Sequence, residues 1–242
     1  MMLTPLPNTR SAIVPEPGMA FVEVDLRQAD AQAVAWMAGA QRLKSLLGRR
    51  MDIYTELETG VWADAKLALV PRQTRKNVIH SSNYGGGART ISDRYIHDLH
   101  STEYFLDAWF GTHHEIREWH MDIEHQMKRS RTPQIRNVWG FRRVYAMQVP
   151  ITQPLAWLGQ STISICKDHM MLRVHDEAPW ATLKMEYHDS LLLQLPRRMC
   201  PDRFEEIIRM CDVEIPFADP LHIPVELKWS TTNWGEMEEW HG

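Results

Sequence analysis

Two short stretches in which apolar and polar residues alternate, 20–24 (AFVEV) and 183–187 (LKMEY), stand near opposite ends of the chain. Each runs into an aspartate: Asp25 directly, and Asp189 after His188. A period of two marks a strand. LKMEY leads through His188-Asp189-Ser190 into LLLQLP, a hairpin with an aspartate at its tip. Between these ends the spacing is mostly helical. Residues 28–47 place Ala33, Val34, Met37, Ala38, Leu43, Leu46 and Leu47 on a helix that Gly48 stops. Residues 52–69 have room for one or two helices before Pro71, 72–83 read as a basic amphipathic helix, and 88–130 as helical and rich in His, Glu and aromatics. Gly140 sits in an expected hairpin over 135–149. A helix is predicted over 153–175, with Leu155, Leu158, Thr162, Ile165, Cys166, Met170 and Val174 near one face. A short helix at 202–211 and a last strand at 221–229 follow, the strand interrupted by Pro224 and hence expected at a sheet edge. The order of elements is that of an α+β fold, a small sheet carrying a large helical insertion.

At 242 residues and 44% apolar content, the chain has the size and composition of one large or two small globular domains. No apolar run is long enough to cross a bilayer, and the N-terminal MMLTPLPNTR lacks a signal-peptide core. Three cysteines without a CxxC pair fit a reducing compartment, with neither a disulfide framework nor a zinc site. The expectation is a cytoplasmic protein with no membrane partner. The net charge of −4 speaks against nucleic acid, but its distribution does not. Six basic residues and no acid lie between Lys128 and Arg143, and four basic residues and no acid between Lys66 and Lys76. Phosphate backbones respond to such local stripes rather than to the sum.

Two aspartates at strand ends, distant in sequence, suit metal-assisted phosphoryl transfer. Mg²⁺ takes one or two carboxylates and completes its shell with water and substrate phosphates. A strand-end aspartate alone is more often a turn residue, so the context decides. Arg72, Lys76, His80 and Tyr84 recur every fourth residue, on one helical face, and end at Gly85-Gly86-Gly87. His113, His114, His120 and His125 show no HExxH pattern and no common face, and read as a solvated helix rather than a metal site. Trp36, Trp62, Trp109, Trp119, Trp139 and Trp157 read as core or subdomain contacts, and the methionines as gap-fillers.

Three segments resemble family A DNA polymerases: VEVDLRQADAQAVAWMAG (22–39) their motif A, RQTRKNVIHSSNYGG (72–86) their motif B, and YHDS (187–190) their motif C. IPVELKWSTTNWGEM (223–237) resembles the family's closing strand and Asn-Trp turn. The resemblance implies a small antiparallel palm sheet with packed helices and a mainly helical fingers insertion. Palm, fingers and palm would occupy 1–50, 51–150 and 151–242. A second aspartate, in Val174-His175-Asp176-Glu177, looks more like the family's usual signature. It stands 16 residues after Gln160, in the QGT-like segment Gln160-Ser161-Thr162 that opens a long helix in the family. A helix of that length, roughly 24 Å, leaves no room for a strand. Asp189, 29 residues after Gln160, leaves room for helix, turn and strand.

The resemblance then implies a template-directed DNA polymerase. Asp25 and Asp189 are the expected catalytic residues and ligands of two Mg²⁺ ions. Arg72, Lys76, His80, Tyr84 and Asp30 are expected at the deoxynucleoside triphosphate. Gln160, His188, Arg142 and Arg143 are expected at primer-template DNA. Asp30 stands where the family usually has glutamate, which fills the space of a ribose 2′-hydroxyl; one methylene less predicts looser sugar discrimination or a neighbour that fills the gap. His80 replaces Phe or Tyr, Ser190 an acid, and Ala156 a polar residue. Few residues precede Asp25, so the expectation is either a fragment of a longer polymerase or a chain completed by a separate partner that supplies thumb and exonuclease-like domains. Localisation would be cytoplasmic, in the host if the gene is a phage's. The competing reading is a non-catalytic DNA-binding or assembly subunit derived from a polymerase.

Overall fold

The computed structural model describes residues 7–55, 70–129 and 131–241. In chain order the first elements are α1 (Pro7–Arg10), β1 (Met19–Leu26), α2 (Ala29–Ala38), α3 (Gln41–Gly48), α4 (Arg72–Asn83) and α5 (Ala88–Ile91). A π-helical turn (Ser92–Ile96) leads to α6 (Leu99–Thr112), α7 (His114–Arg129), β2 (Gln134–Arg136), β3 (Arg142–Val144) and α8 (Thr152–Glu177). Then come β4 (Thr182–Tyr187), β5 (Ser190–Pro196), a 3₁₀ turn (Arg197–Met199), α9 (Phe204–Cys211), β6 (Glu214–Ile215), β7 (Leu221–His222), β8 (Val225–Ser230) and β9 (Glu238–Glu239). Two compact units result: Met1–Ala29 with Ile163–Ile215 and Pro220–Gly242, and Asp30–Thr162 with Pro216–Asp219. Among the described residues no helix is long and apolar enough to cross a membrane.

The first unit is built on a five-stranded antiparallel sheet in the order β4-β5-β1-β8-β9. The fold is α+β, as the periodicity predicts. β5 is buried along almost its whole length, and β1 exposes little more. Phe21, Leu192 and Trp234 form a core on this sheet, with Ile13, Met185, Tyr187 and Met237 packed around it. α9 buries Phe204, Ile207, Met210 and Cys211, with the Phe204 ring edge-on to Trp229 and Trp240. Burying such a side chain contributes about 1.5–3 kcal/mol. β4 is an edge strand and carries the marks of one: Thr182, Lys184 and Glu186 along it, and a register shift between Leu183 and Met185.

The second unit is helical apart from the β2–β3 hairpin. Its core joins Val34, Leu43, Leu47, Val78, Ile79, Phe105, Trp109, Ile116 and Leu155, among others. Residues 28–47 form two helices rather than the expected one. Gly39, at φ +66°, closes α2: its N–H donates to the Trp36 carbonyl (3.3 Å) and Ala40 N–H to that of Ala35 (2.9 Å), a Schellman end. The apolar spacing continues across the break because both helices face one core. Residues 88–130 are likewise divided, at His97 (φ +58°) and at His113, with Asp98 capping α6 by accepting from Ser101 N–H at 3.1 Å. Within 52–69, residues 53–55 are a turn; 56–69, with Trp62 and Lys66, lie outside the described residues. The strand expected over 221–229 is two strands in two sheets, parted at Pro224. β8 is not an edge, because β9 pairs beyond it.

His113, between α6 and α7, and the histidines of α7 are not the solvated set expected. His114 and His125 are exposed, but His120 bonds the Asn83 carbonyl at 2.7 Å and His113 is fully buried against Trp109, ring centroids 4.5 Å apart. Neither His113 ring nitrogen has a hydrogen-bond partner among the described residues. Burial lowers its pKa from 6.5 to about 4, with the Glu115 charge opposing and Arg42 assisting. Between those values the unfolded chain binds the proton that the folded chain refuses. His113 therefore stabilises the fold fully above pH 6.5 and loses that contribution as pH falls toward 4, by up to about 3 kcal/mol. Urea unfolding followed from pH 7 to 4.5 is expected to show this loss, and His113→Leu to flatten it.

Candidate active site

β1 and β5 pair with Asp25 directly opposite Ser190, and Asp189 is the residue before Ser190. The two aspartates therefore lie at the same end of adjoining strands, one step out of register. Opposed residues in antiparallel strands stand about 4.5–5.5 Å apart at Cα. Both side chains are partly exposed. β4 and β5 are joined by His188 and Asp189 alone, with His188 at φ +51°. Ser190 Oγ donates to the Tyr187 carbonyl (2.9 Å), and Leu26 N–H to the Asp189 carbonyl (3.2 Å). On the other side of β1, Asp25 faces Glu226, whose carboxylate pairs with Arg27 at 3.1 Å. His175, Asp176 and Glu177 occupy the exposed last turn of α8, where Glu177 lies 3.4 Å from Arg173.

His188 is exposed, its ring edge-on to Tyr187 at 4.2 Å. Tyr187 in turn meets Trp234 at 5.6 Å, and the Arg10 guanidinium lies over both rings, 4.7 and 4.3 Å from their centroids. Trp234 Nε1 donates to Glu23 at 2.5 Å. Sequence reasoning missed Arg10 and Glu226. The strand alternation in VEL could have exposed Glu226, whereas nothing local marks Arg10.

In the helical unit the four-residue ladder of α4 divides its attention. Tyr84 is buried; its hydroxyl donates to Asp30 Oδ1 at 2.7 Å, while His80 Nδ1 lies 3.4 Å from Asp30 Oδ2 and edge-on to Tyr84. Burial alone would raise the Asp30 pKa. The hydrogen bond and charge of His80, the Tyr84 hydroxyl and the charge of Lys76 outweigh it and hold the carboxyl below its ordinary value. Burial, then the Asp30 charge, pushes Tyr84 well above the usual phenol range, so it remains a donor. Both oxygens of the short carboxylate are thus engaged. Arg72 turns elsewhere: its Nε donates to Asp52 Oδ2 at 2.6 Å, and its guanidinium lies 5.5 Å from the Tyr54 ring centroid. Asp52 is a third residue that sequence reasoning missed, since its partner stands 20 positions away.

Gln160 is exposed on α8. The β2–β3 hairpin docks beside it: Asn137 Nδ2 donates to Ser161 Oγ and Trp139 Nε1 to the Thr162 carbonyl, both at 3.0 Å. Arg142 and Arg143 of β3 are exposed as well. A hairpin is present where 135–149 predicts one, but it is shorter: β2 and β3 span only Gln134–Arg136 and Arg142–Val144, turned by Gly140 at φ +89°.

Residues 5–236 match the model of DNA polymerase family A. The chain belongs to this family. Its relatives include the thermostable DNA polymerase I of Thermus filiformis (24% identical, over 93% of this chain and 28% of that protein) and the DNA polymerase of Mycobacterium phage D29 (20%, over 95% and 37%). The fold is similar to that of the POL domain of Pol1 from M. smegmatis, solved in complex with DNA primer-template and dNTP. The TM-score is 0.77 at 14% identity, over 95% of this chain and 42% of that one. The chain thus spans well under half the length of each. Within this polymerase domain the oxygen donors of Asp25 and Asp189 suit a hard divalent ion. Among the described residues no three His, Cys, Asp or Glu side chains group to hold a metal by themselves. Two carboxylates leave the rest of such an ion's shell to water and other oxygens.

Tyr84 owes its place to Gly159. A Cβ built there would stand 2.0 Å from the Tyr84 hydroxyl and 2.7 Å from Cζ. Inside a helix, Gly→Ala normally stabilises by about 1 kcal/mol. Gly159→Ala is expected to destabilise instead, by about 1–3 kcal/mol, as measured by urea unfolding.

Proposed function

We propose that this chain is the palm and fingers of a template-directed DNA polymerase that adds deoxynucleotides to a primer 3′-hydroxyl. The observation that supports this most is the β1–β5 register, which sets Asp25 opposite the residue that follows Asp189. In this reading palm, fingers and palm take 1–50, 51–150 and 151–242, and the first compact unit, with the five-stranded sheet, falls within the palm. The primer O3′ attacks the α-phosphorus of a deoxynucleoside triphosphate; an O–P bond forms and pyrophosphate leaves. Asp25 and Asp189 would hold two Mg²⁺ ions, which when bound activate the attacking hydroxyl and offset charge on the leaving oxygens.

Lys76 and Arg72 bind the triphosphate, where fixed positive charge counts most as negative charge builds. Arg72 exchanges its Asp52 partner for phosphate, and its side chain is half exposed. Asp30, held by Tyr84 and His80, borders the sugar and excludes a 2′-hydroxyl. Gln160 and His188 meet the primer-template, and Arg142 and Arg143 its phosphates.

Primer extension with Mg²⁺ tests the reading. Asp25→Ala and Asp189→Ala are each expected to reduce extension to background, and Asp176→Ala to retain it. Extension lost in Asp176→Ala but kept in Asp189→Ala would move the site to the end of α8. DNA binding without extension in the unsubstituted chain would favour a binding or assembly subunit. Asp30→Ala is expected to raise ribonucleotide relative to deoxynucleotide incorporation by about 10–100-fold, read from single-nucleotide insertion.

A further inference from the structure

Lys167, in the middle of α8, is 2% exposed, the most deeply buried cation among the described residues. Its Nζ meets the Glu186 carboxylate at 2.5 Å and donates to the backbone carbonyl of His188. The neighbouring buried positions of the helix, Ile163, Cys166, Met170 and Val174, are all apolar. Burying an ammonium costs several kcal/mol, and a well-packed apolar side chain usually replaces such an ion pair with no loss of stability. Stability alone therefore gives little reason for a lysine here.

The turn it touches gives a better one. His188 has a positive φ that a non-glycine residue adopts at a cost of about 1–3 kcal/mol. All three carbonyls around the bend are tied: Tyr187 to Ser190 Oγ, Asp189 to Leu26 N–H, and His188 to Lys167. The first two ties lie within the sheet. Only the third comes from the helix, and it holds the residue whose backbone is strained. We propose that Lys167 is a positioning residue for Asp189: by pinning the His188 carbonyl it fixes the direction in which the next side chain leaves the β4–β5 turn. The assignment rests on the polymerase reading of Asp189 given above.

Lys167→Met keeps length and removes donor and charge. Amide hydrogen exchange over residues 186–191, in the metal-free protein, is expected to accelerate by about tenfold or more, with little change in the urea midpoint. In primer extension kcat is expected to fall by about 10–100-fold, as when an outer partner of a metal ligand is lost. The nucleotide KM should stay within about twofold, the fall being in the chemical step alone, and the Mg²⁺ concentration for half-maximal rate should rise. Lys167→Arg, which restores a donor, should recover part of the loss. Should Lys167→Met fold poorly, Lys167→Leu takes its place, and faster exchange over residues 186–191 in that variant supports the assignment. Unchanged exchange and unchanged metal dependence in folded Lys167→Met would overturn it. If the unsubstituted chain does not extend a primer, the polymerase reading fails, and the exchange experiment still decides whether Lys167 pins the turn.

Discussion

The register between β1 and β5 is the constraint on which the rest depends. Side chains alternate along a strand, so a slip of one residue would turn Ala20, Val22 and Val24 to the opposite face and carry Asp25 with them. Burial prevents the slip. Those three residues are fully buried, as are Leu191, Leu193 and Leu195 on the partner strand. With β8 pairing on its other side, β1 is held at both edges. The hydrophobic pattern that stabilises the sheet is therefore also what sets Asp25 beside the turn bearing Asp189. Folding energy and chemical geometry are the same contacts counted twice.

The helical unit solves a different problem, that of holding a short carboxylate still. Asp30 has one oxygen on a neutral phenol and the other near an imidazole, on residues one helical turn apart. That spacing is a property of α4 alone, so the helix carries the clasp ready-made. Tyr84 can be buried only because Gly159 offers no Cβ at the point of contact. A second carboxylate, Asp52, neutralises Arg72 where the ladder begins. Under the proposed function a triphosphate would have to displace Asp52 from Arg72.

Local pattern made some of this legible. β1, β4 and α4 could be read because their periodicity and their turn residues agree, and the long α8 because its apolar spacing runs unbroken. The α2–α3 break was hidden because apolar spacing persists through Gly39, and only the left-handed backbone there ends the helix. β8 was misread as an edge because β9 is two glutamates with no apolar signal of their own. Asp52, Arg10, Glu226 and Lys167 act through partners distant in sequence. A lysine in an apolar helical stripe looks like a solvated residue until the His188 carbonyl is found beside it. Family likeness supplied the roles of the ladder residues; spacing alone placed them on one face and said nothing of phosphate.

Under the proposed function Asp25 and Asp189 together hold divalent metal. The most direct measurement is a crystal structure of this chain with Mn²⁺, primer-template DNA and a non-hydrolysable deoxynucleotide, with metal located by anomalous scattering. Metal density within coordinating distance of oxygens of both aspartates is expected. Metal bound at Asp176 and Glu177, or at only one of the two aspartates with the other turned away, would contradict it.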